Sequence, residues 1–228
     1  MASWMVHLRV AEVLLEQISG LSETEFIVGN IAPDSGVPNE DWSVFTPSTD
    51  QSHFKLICEN GKKEISVDGF IAKYFTKEMQ KSYTKEQFSF YLGYLTHLLT
   101  DILWVELVFP ICKAKNPELY SSDKKTAIWT WKKDFYDLDA LYIRENPDFR
   151  SYQVYKGAVG FVNDYMDIFA SDAMDNRREY IVSFYEEAKK ENDLDRDYEF
   201  FTERDMSDFI LAASKKIKDQ LTKYIEFM

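Results

Sequence analysis

All three histidines of this 228-residue chain fall within its first hundred positions, and their settings point to one kind of chemistry. His97 stands in Gly-Tyr-Leu-Thr-His-Leu-Leu-Thr-Asp, residues 93–101. Residues four apart on an α-helix project from one face, a turn above the other. His97 and Asp101 are therefore spaced to offer an imidazole nitrogen and a carboxylate oxygen to one ion, the donor types a zinc site uses. His7 opens an apolar helical run, His53 sits in Ser-His-Phe after a polar loop, and Asp34 ends Gly-Asn-Ile-Ala-Pro-Asp. Three histidines and two aspartates are enough ligands for one metal and nearly enough for two.

Taken singly, each of these residues is ordinary. A histidine on an apolar helix is commonly a core residue, and a His-x-x-x-Asp pair is commonly a simple ion pair. Asp34 after Pro33 reads as a turn residue. The combination carries the argument, because a His–Asp pair buried in a Leu-rich helix needs a compensating partner.

In their order and spacing, His7, Gly-Asn-Ile-Ala-Pro-Asp34, Ser-His53-Phe and Gly-Tyr-Leu-Thr-His97-Leu-Leu-Thr-Asp101 resemble the zinc-dependent phospholipase C family, which shares its fold with the S1/P1 nucleases. The resemblance spans about the first 105 residues. It implies an all-helical fold with a metal cluster at the base of a cleft, hydrolysing phosphoester bonds. It also implies that Asp34, His53, His97 and Asp101 ligate one zinc ion, and that His7 and Asp101 help to hold a second, with Asp101 bridging. In the secreted members, two further histidines and a glutamate after the His-x-x-x-Asp helix hold a third zinc. This chain has no histidine beyond His97, and Glu106 is a lone carboxylate. Those members also use an N-terminal aromatic residue as a ligand, whereas Trp4 here lies only three residues before His7. One or two zinc ions are therefore expected, and other divalent metals would accept the same donors.

Zinc lowers the pKa of a coordinated water towards ~7. Asp34, if loosely held, is the expected catalytic base, orienting that water or taking its proton. The expected activity is hydrolysis of a phosphoester such as a phospholipid head group or another small phosphodiester. The alternative is a non-catalytic metal-binding or structural module. Asp34, His53, His97 and Asp101 already make four ligands, and closed shells are structural where open ones are catalytic.

Composition narrows the partners. A content of 45% hydrophobic residues, with 17 Phe and 14 Tyr, suffices for one sizeable core. A net charge of −12 without Lys/Arg stripes argues against duplex nucleic acid. With no basic segment ahead of an apolar one near the start, and no uninterrupted apolar run of spanning length, no transmembrane segment and a cytoplasmic location are expected. Cys58 and Cys112 read as two free thiols, with a disulfide left open. Oligomeric state leaves no trace in the sequence.

The elements that must position these residues are helical. Val10, Leu14, Leu15 and Ile18 set a helical period over 4–19 that ends at Gly20 and turns His7 inward. Ser22-x-x-Glu25 is a capping box for a short helix that Gly29 and Pro33 break, leaving Asp34 on a loop. The stretch 35–52 reads as irregular, a wall or lid over the site. Asn60-Gly61 is a type I′ signal for a hairpin near 54–67, expected to be the only sheet. Asp68 caps a helix to about Lys81, and Thr84-x-x-Gln87 opens one that reaches Trp104 or beyond. Gly93 would allow close approach of another helix, and Pro110 would end or kink the chain beyond Trp104. Further helices are expected over 123–144, 149–170, 172–191 and 202–227. The whole predicts one all-α domain over residues 1–228, a multi-helix bundle with one short β-hairpin. Asp134, Asp137, Asp139, Asp164 and Asp167 are further carboxylates that could complete a metal shell, and Trp129, Trp131, Phe135 and Tyr136 are expected in the core and at its rim.

Overall fold

His97 and Asp101 lie midway along the longest helix of the molecule. The computed structural model describes residues 1–41, 43–59 and 61–225. Among these, eleven helices succeed one another: α1 (Trp4–Gln17), α2 (Glu23–Ile31), α3 (Thr49–Ser52), α4 (Val67–Tyr74), α5 (Lys77–Gln80), α6 (Lys85–Lys115), α7 (Pro117–Ser122), α8 (Lys124–Glu145), α9 (Arg150–Gly157), α10 (Ala173–Glu191) and α11 (Glu203–Leu221). Two antiparallel hairpins interrupt them, β1 (Val37–Pro38) with β2 (Phe45–Thr46), and β3 (Lys55–Ile57) with β4 (Lys63–Ile65). The fold is all-α, as the phospholipase C/P1 nuclease type requires.

The capping box at Thr84 forms. Its hydroxyl accepts the Gln87 N–H at 3.2 Å while the Gln87 side chain accepts the Thr84 N–H at 3.1 Å. From there α6 is buried continuously from Ser89 to Asp101, the pattern of a helix surrounded by others. Its polar residues hide their hydroxyls in their own helix, Thr96 donating to the Leu92 carbonyl at 2.9 Å and Thr100 to the Thr96 carbonyl at 2.8 Å. By length and composition alone α6 is long and apolar enough to cross a membrane. More than half of the stretch is packed inside the protein.

Two glycines let α2 lie against α6 backbone to backbone. A Cβ on Gly29 would stand 2.2 Å from the Phe90 carbonyl oxygen, and one on Gly93 would stand 2.1 Å from that of Phe26. Gly29 therefore does not break α2, as its helix-breaking tendency suggested. It serves the helix crossing, and α2 continues to Ile31. A 3-10 turn over Ala32–Asp34 then carries Pro33 and delivers Asp34.

Other local signals are redirected by tertiary contacts. At α2, the Ser22 hydroxyl donates to the Glu25 carboxylate and the Ser22 N–H goes to the Ser89 hydroxyl at 2.8 Å, so the expected capping box is replaced. Ser66, not Asp68, caps α4, its hydroxyl accepting the Gly69 N–H at 3.0 Å. That helix ends at Tyr74, and α5 starts afresh behind the Thr76 cap. Pro110 does not end α6. It lies on an exposed position, where one missing N–H is tolerated. The helix expected over 149–170 stops at Gly157. Gly160 takes φ +74°, and the Asn163 amide donates to the carbonyls of Met166 and Phe169 at 2.8 and 3.1 Å, holding an irregular loop. The stretch 35–52 contains the β1–β2 hairpin and α3, so β3–β4 is not the only sheet. In the β3–β4 turn Gly61 takes φ +75°, while the type I′ signal falls partly on Asn60, which lies outside the described residues. The last residues expected in the final helix, 226–228, lie outside them too. Cys58 and Cys112 are both free.

Candidate metal centre

Four elements converge on one buried point. α1 supplies His7, the turn after α2 supplies Asp34, the residue closing α3 is His53, and α6 supplies His97 and Asp101. The three histidines are wholly buried, Asp101 is 1% exposed, and the Asp34 side chain retains 11%. Their donor atoms form two overlapping groups, His7 with His97 and Asp101, and Asp34 with His53 and His97. All five residues singled out from the sequence are thus brought together.

His97 is oriented by the end of α2. Its Nδ1 lies 2.8 Å from the carbonyl oxygen of Asn30, in the last turn of that helix, where carbonyls lack in-helix partners. A carbonyl can only accept, so Nδ1 carries the proton and Nε2 presents its lone pair. That Nε2 faces the Nε2 of His53 at 3.2 Å, and the other side of the His53 ring meets the Ser52 hydroxyl at 3.0 Å. His53 Nε2 also stands 3.4 Å from Asp34 and 3.5 Å from Asp101. His7 Nε2 lies 3.5 Å from the other Asp101 oxygen, and the rings of His7 and His97 stack.

His53 needs a sharp turn, and the chain supplies it in Phe54, whose φ of +52° is unusual for a bulky residue. The ring contacts edge-on with Phe70 at 5.4 Å and Tyr94 at 6.1 Å keep it there. Tyr94, one turn before His97, donates its hydroxyl to the Ser52 carbonyl at 2.5 Å and ties α3 to α6. Asn30, Phe54 and Tyr94 were not singled out from the sequence. Asn30 and Tyr94 stand within the quoted Gly-Asn-Ile-Ala-Pro-Asp and Gly-Tyr-x-x-His phrases, which was the available signal.

The electrostatics suit a cation. Burial, and then the neighbouring His7, push the His97 imidazole down to about 3, so it is neutral at ordinary pH. Burial alone would raise the Asp34 carboxyl, but the hydrogen bond from His53 outweighs it and holds it well below the usual range. Asp101 is likewise held far down against burial, by the positive chain terminus and by His7 and His97. Its Oδ1 accepts the Ala2 N–H at 2.7 Å, whereas its Oδ2 and both nitrogens of His7 lack hydrogen-bond partners. Buried polar atoms without partners are costly. Unpaired carboxylate and imidazole atoms, together with two imidazole nitrogens facing each other, form a donor set that a zinc ion fits.

Asp34 opens this point to a cleft of about 470 Å³. Trp4, Trp129, Tyr136 and Phe184 stand on its walls, with Lys132 from α8 and Arg177 from α10. Arg177 donates to the Gly36 carbonyl at 2.5 Å and so steadies the chain just past Asp34. Burial lowers the Lys132 pKa, opposed by the charges of Asp34 and Asp101. The other carboxylates considered lie elsewhere. Asp134 receives the N–H groups of Phe200 and Phe201 and pairs with Arg196, Asp137 pairs with Lys133 and Arg196, and Asp139 takes the Tyr185 hydroxyl at 2.7 Å. Asp164 and Asp167 are exposed, and Glu106 pairs with Lys216 at 3.2 Å. Trp131 and Phe135 belong to the core.

No curated protein and no solved structure matches the chain. Residues 6–104 match the family model described as zinc dependent phospholipase C, and that stretch holds all five residues of the cluster. Over these residues the chain is similar to the zinc-dependent phospholipase C family.

Proposed function

We propose that the protein is a zinc-dependent hydrolase of small phosphodiesters, with Asp34, His53, His97 and Asp101 holding one ion and His7 with Asp101 contributing to a second. The observation that carries this reading is the convergence of the His53 and His97 Nε2 atoms, 3.2 Å apart, beside an Asp101 oxygen that has no hydrogen-bond partner. Zinc held by such a set supplies a Lewis acid and a water acidic enough to attack at neutral pH.

The chain's own groups divide the remaining work. Asn30 keeps the His97 lone pair on the metal side, and the Ser52 hydroxyl, 3.0 Å from Nδ1, holds the His53 ring in place. Asp34, lining the cleft and kept ionised by its hydrogen bond from His53, is placed to accept the proton of the attacking water. The cleft favours this over a non-catalytic metal module, because Asp34 keeps exposed surface where a substrate phosphate would enter. The phosphodiester substrate, the location in the cell and the absence of duplex nucleic acid among the partners belong to the same reading. Its support is the net charge of −12 and a cleft sized for a small molecule.

The test is elemental analysis of protein purified without chelator, alongside hydrolysis of bis-p-nitrophenyl phosphate. One or two zinc ions per chain and zinc-dependent turnover are expected, both lost in His97→Ala. Stoichiometric zinc in His97→Ala overturns the ligand assignment, and zinc without turnover of any phosphodiester overturns the activity.

A further inference from the structure

The walls of the cleft carry a charge pattern opposite to that of the whole molecule. The chain has a net charge of −12, yet among the described residues lining the cleft the only carboxylate side chain is Asp34, alongside two cationic side chains, Lys132 and Arg177. Asp34 is itself a metal ligand in the reading above, so a bound cation offsets it and the two basic side chains dominate the remaining field.

The two cations are placed differently. Arg177 is committed to the Gly36 carbonyl and lies over the Tyr180 ring at 5.5 Å. Lys132 has its ammonium 4.7 Å from the centre of the Trp129 ring and, among the described residues, makes no hydrogen bond or ion pair. Aromatic walls such as Trp4, Trp129, Tyr136 and Phe184 would by themselves attract a quaternary ammonium group. Here the protein's own ammonium already occupies a ring face and repels a second one. An unpaired ammonium on a cleft wall is also a ready partner for an anionic oxygen.

We propose that Lys132 makes this cleft select phosphoesters that carry a second negative charge and reject those that carry a quaternary ammonium. The inference rests on the phosphoester reading of the metal centre but not on turnover. In this proposal Lys132 is a specificity residue on the cleft wall that pairs with the second negative charge.

The test is calorimetric binding of three small phosphate monoesters to the full-length, zinc-loaded protein: 3-phosphoglycerate with an anionic tail, glycerol 3-phosphate with a neutral tail, and phosphocholine with a cationic tail. The expected order is phosphoglycerate, glycerol phosphate, phosphocholine, with at least about a tenfold gap between the ends, the size typical of one added charge pair. Lys132→Met should shrink that gap roughly tenfold while glycerol phosphate binding changes little. Lys132→Arg should retain the gap and Lys132→Glu should reverse it, so the proposal does not hang on one variant's folding. Phosphocholine binding as tightly as phosphoglycerate, or a gap unmoved in Lys132→Met, overturns it. If the order holds but no phosphodiester is hydrolysed, the activity falls and the Lys132 assignment stands. If none of the three binds, both fall.

Discussion

The imidazoles of His7 and His97 are stacked, their centroids 3.8 Å apart and their planes 3° from parallel. They join α1 to α6 and bring two nitrogen edges to the same carboxylate, Asp101. Only His97 belongs to both candidate donor groups. His7→Ala should therefore keep the ion held by Asp34, His53, His97 and Asp101, while His97→Ala should lose metal altogether. Elemental analysis of the two variants side by side checks this, and equal losses in both would contradict the shared role of His97.

Metal removal should loosen the protein. Without an ion, both His7 nitrogens and one Asp101 oxygen stay buried and unpartnered. A ligand present at about a hundred times its Kd stabilises by roughly 2.7 kcal/mol. In a chain of this size that corresponds to about 5–10 °C of melting temperature. Calorimetric scans with and without a chelator should show a fall of that order, reversed by added zinc.

Asp139 makes stability depend on pH in the direction opposite to most carboxylates. Burial pushes its pKa from 3.8 up to about 7, against the hydrogen bond from Tyr185. The unfolded chain releases this proton near pH 4 and the folded chain holds it until about 7. The contribution is therefore complete below pH 4 and is lost as pH rises towards 7, a loss on the order of 4 kcal/mol. Asp139→Asn, which cannot ionise, should remove that slope. Urea titrations of wild type and variant in chelator, from pH 4 to 8, measure it. Parallel curves would show that Asp139 titrates normally.

The α2–α6 crossing should be intolerant of a methyl group. In Gly93→Ala the new Cβ would stand 2.1 Å from the Phe26 oxygen and 2.9 Å from the Asn30 nitrogen. Backbone atoms cannot swing aside as a flexible side chain can, so a loss of about 3 kcal/mol is expected. Denaturation of the metal-free variant reads this free of any change in zinc affinity.

Pro110 gives a change in the other direction. It sits inside α6 at an exposed position, more than two turns beyond Asp101, where it leaves one helical carbonyl without its donor. Pro110→Ala should raise stability by about 1–3 kcal/mol and leave zinc content unchanged. A lower melting temperature would mean that the ring packs usefully against its neighbours.

The candidate site was legible in the sequence because its ligands sit in local phrases. The i, i+4 spacing of His97 and Asp101 and the Pro33–Asp34 turn are short-range signals, and so was the Thr84 capping box. What was illegible depended on distant partners. Nothing near Ser22 announces that Ser89 will take its N–H, and nothing near Gly29 that Phe90 will press against it. Asn163 turned a helical pattern into a loop by capturing carbonyls within seven residues, a competition that periodicity does not record. The cleft wall was hidden for the same reason, since Lys132 and Arg177 lie on α8 and α10, far from the ligands in sequence.

The glycine contact between α2 and α6 also acts as a caliper. Asn30, which orients His97, comes directly after Gly29, and Asp34 hangs from the next turn of chain. The distance between the ligand on the turn and the ligand on the helix is thus a backbone dimension, fixed by two absent side chains. Ions of different radius would be accommodated by sliding or separating two helices, a cooperative movement, and not by a change of side-chain rotamer. On the proposed zinc reading, selectivity for ion size would be set at the α2–α6 crossing rather than by the ligands themselves.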